Sequence, residues 1–228
     1  VCTFDNLSPG TLYEISVVAK ADGYKDSVAG TTTISTKAKQ IIANGNYVIV
    51  AKSSKVMLTN AAEGSALAHK SIDNIDVDKV TTITTTDESV WYIEWDETNS
   101  YYLIKSVGNG CYLSATNGNT ASATKTNSDD NCHMIISEVV DSEVVDGYNI
   151  EWKNSTSGKR ILGYNTSAPR FAFYTTSQEN TLLLIPAEVD TKPSFTVTPN
   201  VAQSIGAVGG DIQFTVSYYN GAVVTAKS

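Results

Sequence analysis

Apolar and polar residues alternate along this chain in short runs, and almost no stretch repeats them at the helical period. Leu12 to Ala19 (LYEISVVA) has period two between the turn signals Pro9-Gly10 and Asp22-Gly23, so residues 1–37 read as strands and turns. Residues 38–44 form a short connector. From Gly45 onward one pattern recurs three times. The opening strands are Tyr47-Val48-Ile49-Val50, Tyr102-Leu103-Ile104-Lys105 and Tyr148-Asn149-Ile150-Glu151. The second strands run over 56–59, 111–114 and 160–163, and place Leu58, Leu113 and Leu162 at one common position. The closing strands are expected at 90–93, 132–135 and 181–184. Polar turns separate the first strand of each unit from the second: Ser53-Ser54, Gly108-Asn109-Gly110 and Ser155-Thr156-Ser157-Gly158.

One such unit cannot cover its own apolar strand face. Three of them around a pseudo-threefold axis can close a six-stranded barrel under a cap of hairpins, and closure removes the exposed edges. The expected fold is therefore all-β: a β-trefoil over residues 45–187, flanked by partial immunoglobulin-like β-sandwich pieces at 1–37 and 193–228. A sandwich of eight or more strands is the alternative for the centre. The third strands carry the weakest pattern: 171–174 is well formed, 121–124 is poor, and in the overlong first unit Ser65–Ser71 could hold a short helix.

Leu7-Ser8-Pro9-Gly10-Thr11-Leu12-Tyr13 resembles the tyrosine corner of fibronectin type III domains, in which a Tyr bonds back to the backbone at a β-arch. Residues 21–27 then look like the hairpin before that family's last strand, and Thr31 to Thr36 like the last strand itself. In 194–228, Phe195-Thr196-Val197, the turn Gly209-Gly210 and Ile212-Gln213-Phe214-Thr215-Val216 resemble the opening of a BACON or related immunoglobulin-like domain. This order of modules resembles multi-modular secreted and surface proteins of gut Bacteroidetes, as do the stretch 158–174 and the short glycosylation-like Asp26-Ser27-Val28. The resemblance implies an extracellular setting. Ricin-type lectins are trefoils with a disulfide inside the repeat and a Gln-x-Trp on the closing strand. Cys111 and Cys132 sit where that resemblance implies a bond, which would add about 3 kcal/mol in the chain-entropy model. Units one and three lack the cysteines, and Ser89-Val90-Trp91 keeps only the Trp, so neither the ricin pocket nor its galactose specificity carries over.

Charge narrows the partners. With 24 acidic against 16 basic residues the net charge is −8, and no Lys/Arg cluster breaks it, so nucleic acid is not an expected partner. No apolar run is long enough to span a membrane, and any secretory signal is expected upstream or already removed. The odd cysteine count leaves Cys2 without an assigned partner. Catalytic chemistry finds no foothold: there is no Gly-x-Ser-x-Gly, and Ser157-Gly158-Lys159 lacks the upstream Gly of a phosphate loop. His69 reads as a solvated loop residue and His133 as a structural residue in a barrel strand. Asp73, Asp76 and Asp78 lack the calcium-loop spacing and read as a hydrated loop, so no metal or other cofactor is expected.

A saccharide site needs an aromatic platform with amides or charges beside it. Trp152 is large where its counterparts Ala51 and Ser106 are small, and Tyr164, Asn165, Arg170 and Tyr174 follow in the same unit. This third-unit group is the expected ligand patch, with Trp152 as a plug of the barrel end being the alternative. The expected function is a non-catalytic, monomeric extracellular module that binds a glycan or a cell-surface protein. A structural spacer, or an accessory region of a larger secreted hydrolase, are the other readings.

Overall fold

The structure, a computed structural model, describes residues 3–8, 10–73, 75–190, 194–198 and 215–219. The chain divides into two compact units, Val1–Glu188 and Val189–Ser228. Strands β1 (Leu12–Val17) and β2 (Gly30–Ser35) open the first unit as an antiparallel pair. The Ser8 amide donates to the Tyr13 hydroxyl at 2.7 Å, the backbone bond expected of that tyrosine. Leu12 and Ile34 remain largely exposed on this two-stranded sheet.

Three four-stranded units follow. The first holds β3 (Gly45–Ala51), β4 (Val56–Glu63), β5 (Ala66–Ser71), a short extra strand β6 (Ile83–Thr85) and β7 (Trp91–Asp96). The second holds β8 (Tyr101–Ser106), β9 (Tyr112–Ser114), β10 (Ser122–Lys125) and β11 (Met134–Asp141). The third holds β12 (Val144–Trp152), β13 (Ile161–Asn165), β14 (Arg170–Tyr174) and β15 (Leu182–Val189). Opening and closing strands pair in one unbroken antiparallel cycle, β3–β7–β8–β11–β12–β15 and back to β3. The hairpins β4–β5, β9–β10 and β13–β14 hang from β3, β8 and β12. They meet as a cap: Phe171 lies opposite Leu67, the Ala121 amide donates to the Ser65 carbonyl at 3.1 Å, and the Phe173 amide to that of Thr120 at 3.0 Å. A closed barrel with a three-hairpin cap is a β-trefoil. In the second compact unit, β16 (Ser194–Thr198) pairs antiparallel with β17 (Thr215–Tyr219). Gly209-Gly210 and residues 212–214 lie outside the described residues, as do Cys2 and Pro9.

The interior follows from the alternation. Ile49, Ile104 and Ile150 face Leu184, Ile93 and Ile136 across neighbouring strands and form an aliphatic belt in the barrel. The next layer pairs large with small or flexible: Trp91 with Ser106, Leu182 with Ala51, and Trp152 with Met134. Such matching fills a barrel without voids. Leu58, Leu113 and Leu162 are fully buried in the same core beneath the cap. Gly147 is required by packing, because a Cβ there would stand 2.8 Å from the Leu182 carbonyl oxygen where β12 crosses β15.

Two expectations change. Ser65–Ser71 is not helical: β5 covers Ala66–Ser71 and pairs with β4. The closing strand of unit two begins at Met134, which shifts the expected alignment by one residue and reverses which side chains point inward. His133 therefore lies outside the strand, stacked on Tyr101 with ring centroids 3.8 Å apart.

Tyr47, Tyr102 and Tyr148 line the other end of the barrel, where burial pushes the Tyr47 hydroxyl pKa up and its neighbours Tyr148 and Tyr102 add to the shift. The connector seals this end. Ile42 is buried, and the amides of Ile41 and Ile42 both donate to the Tyr102 hydroxyl, at 2.5 and 2.9 Å. Tyr102→Phe leaves both donors without that acceptor. It is expected to cost about 2 kcal/mol, read as a lower denaturation midpoint with faster hydrogen exchange at Ile41 and Ile42.

Candidate functional site

The structure separates the residues expected to form one patch. Trp152 is a core residue, 4% exposed, and its indole N–H donates to the Asp130 carbonyl at 2.9 Å. It offers no face to a ligand, so the expected platform is corrected to an internal plug. Tyr164 is also buried, its ring edge-on to His69 at 5.1 Å and 5.1 Å from Phe171. Burial, and after it the charge of Glu179, raise the Tyr164 hydroxyl pKa. Asn165 caps the β13–β14 turn by accepting from the Ser167 and Ala168 amides, and Arg170 stands opposite it in the register. Tyr174 lies at the far end of that hairpin, opposite Ile161, about 13 Å along the strand from Arg170.

Cys111 and Cys132 are both buried free thiols, so the disulfide implied by the ricin resemblance is not formed. The cause is local. Cys132 ends a 3-10 turn (Asp130–Cys132) instead of lying in the strand, and its Sγ faces Asp129 Oδ1 at 3.6 Å. Burial raises its pKa. The carboxylates read as a hydrated loop are partly committed to lysines: Asp76 pairs with Lys79, and Asp78 with Lys52, both at 2.8 Å.

Of the expected patch, Tyr174 lines a pocket. This pocket, about 220 Å³, opens between β12, β13 and the loop after β14. Tyr174, itself only 3% exposed, closes the floor of the pocket with Ile161, and Asn149, Asn180, Lys159 and the hydroxyl-bearing run Thr175–Ser177 supply polar groups at its rim. Asn180 is held in place: its side-chain oxygen accepts from the Gln178 amide at 2.5 Å, and its Nδ2 donates to the Ile161 carbonyl at 3.4 Å. Lys159 is anchored to Glu151 at 3.1 Å and otherwise exposed. The Tyr174 hydroxyl is buried with no hydrogen-bond partner.

The other units fill the corresponding place themselves. Register puts Lys70 of β5 opposite Met57 and Lys125 of β10 opposite Tyr112, as Tyr174 stands opposite Ile161. Lys70 pairs with Glu88 at 3.2 Å and donates to Thr86 Oγ1, while Lys125 pairs with Asp129. Both carboxylates come from the connector before the closing strand. In unit three that connector's Glu179 turns away, accepting from the Ser53 and Ser54 amides and the Ser54 hydroxyl of unit one.

No protein-family model and no curated relative matches the chain. Solved structures do. A mosquitocidal holotoxin is similar with a TM-score of 0.50 at 16% identity, over 74% of this chain and 21% of the toxin. That likeness is one of fold. The chain spans about a fifth of the holotoxin, so the likeness concerns one module of that protein. A ricin B-like lectin of Macrolepiota procera, solved with lactose, is similar with a TM-score of 0.45 at 12% identity, over 65% of this chain and 99% of the lectin. The Rhizoctonia solani agglutinin gives 0.45 at 16% identity, over 65% and 99%. The pocket residues Asn149, Lys159 and Asn180 of this trefoil were not legible as a group in the sequence, because three separate segments supply them. The signal that marks the place is the change from Lys70 and Lys125 to Tyr174, and it appears only once the hairpins are paired.

Proposed function

We propose that this trefoil is a non-catalytic extracellular module whose third unit binds a saccharide. One observation carries the reading: a surface pocket floored by Tyr174 and Ile161 and ringed by the amides of Asn149 and Asn180, the Lys159 ammonium and three hydroxyl-bearing residues. A sugar has this mixture in reverse, with an apolar C–H face for the ring and hydroxyls for the amides. Both histidines support a role without catalysis, since His69 packs on Tyr164 and His133 on Tyr101. Residues 1–37 and 193–228 then belong to flanking immunoglobulin-like modules, of fibronectin type III and BACON kind, in a multi-modular surface protein.

Two variants of one residue test the proposal. Tyr174→Ala is expected to abolish saccharide binding in a glycan array and in NMR titration. Tyr174→Phe keeps the floor and removes a buried hydroxyl that has no partner. It is expected to retain binding and to raise stability by about 1 kcal/mol. Unchanged binding by a folded Tyr174→Ala protein refutes the site.

A further inference from the structure

The three equivalent places of the trefoil differ in charge in a way that bears on what the open one takes. In units one and two a lysine on the third strand is neutralised by a carboxylate from the following connector, Lys70 by Glu88 and Lys125 by Asp129. In unit three Tyr174 replaces the lysine, and Ser177 and Asn180 line the connector side with no charge. A cation is nevertheless present: Lys159 is the one charged side chain lining the pocket, reaching it from the turn that precedes β13. Its partner Glu151 stands on β12 and is not part of the lining. An ammonium has three N–H donors, and the contact with Glu151 at 3.1 Å engages one of them.

We infer that the third-unit pocket takes a saccharide bearing an anionic group, a uronate carboxylate or a sulfate, which pairs with Lys159 while the amides and hydroxyls of the rim hold the sugar above Tyr174 and Ile161. The inference rests on the saccharide reading above and adds the ligand class to it. The ligand anion supplies the kind of ion pair that the sister units make internally. Glu151 then acts as a competitor for Lys159 and tempers affinity. The net charge of −8 repels anions at long range, so the contact shows itself at physiological ionic strength, where that repulsion is screened.

The test is an NMR titration of the full chain with methyl β-D-glucoside, methyl β-D-glucuronide and a sulfated methyl glucoside, following the amides of Thr175–Ser177 and Asn180. The anionic sugars are expected to bind about tenfold tighter than the neutral one. Lys159→Gln should bring the anionic sugars down to the affinity of the neutral one, whereas Glu151→Gln should increase the advantage. The two anionic probes distinguish carboxylate from sulfate. Equal affinity for neutral and anionic sugars, with Lys159→Gln silent, overturns the inference and leaves the saccharide reading standing. Absence of shifts with every sugar overturns both.

Discussion

Trp152→Ala is expected to lower stability by about 3–5 kcal/mol, in the range for deleting a fully packed indole. The ring fills a barrel layer otherwise lined by residues as small as Ala51 and Ser106, and it stands opposite Met134, an unbranched side chain able to fit an irregular neighbour. Truncation leaves a cavity that small residues cannot refill, and it removes the indole donor to the Asp130 carbonyl, which keeps the Asn154 side-chain amide as its donor. Equilibrium urea unfolding checks this. Ligand affinity of the folded fraction should stay unchanged, because the ring does not line the pocket. A variant with normal stability and lost binding would show instead that Trp152 reaches the ligand.

Arg160→Met is expected to cost about 3 kcal/mol, since hydrogen bonds to a charged group contribute more than neutral ones. Arg160 is 7% exposed and forms no carboxylate ion pair among the described residues. Its guanidinium donates to the Asn117 carbonyl at 2.7 Å, to the Gly118 carbonyl at 2.9 Å and to Asn119 Oδ1 at 3.2 Å. All three belong to the hairpin turn of unit two, so a residue of unit three clamps its neighbour. Arg160→Lys is not expected to restore stability, because a single ammonium cannot span these acceptors as the planar fork does. Midpoints of the two variants, with amide exchange over 117–119, settle the size of the effect.

How far the sequence could be read depended on how many frames each segment allowed. In the opening strands the recurring Tyr-x-Ile sets the frame although Val48, Val50 and Leu103 occupy the other parity, and Ile49, Ile104 and Ile150 are buried together. Cys132-His133-Met134-Ile135-Ile136 admits two, since apolar residues occupy both parities, and only pairing with β12 fixes Met134 and Ile136 as inward. Ala66-Leu67-Ala68 favours helix by intrinsic propensity, yet pairing with β4 and with Phe171 makes it a strand. Trp152 was ambiguous because bulk at a position where sister residues are small suits a platform and a plug equally. The pocket was hidden for a different reason. Asn149, Lys159 and Asn180 are ordinary surface polar residues in sequence, and only strand register makes them neighbours.

The closure of β15 onto β3 has a mechanical consequence. The chain arrives at Gly45 and leaves after Ala187 on adjacent antiparallel strands, with Tyr47 opposite Pro186. A load drawing those two points apart acts across the ladder and peels its bonds singly, instead of shearing them all at once. The arrival and departure points are separated by roughly one strand spacing, about 5 Å. Under tension this trefoil behaves as a bead hung beside the thread: it adds mass, but almost no reach.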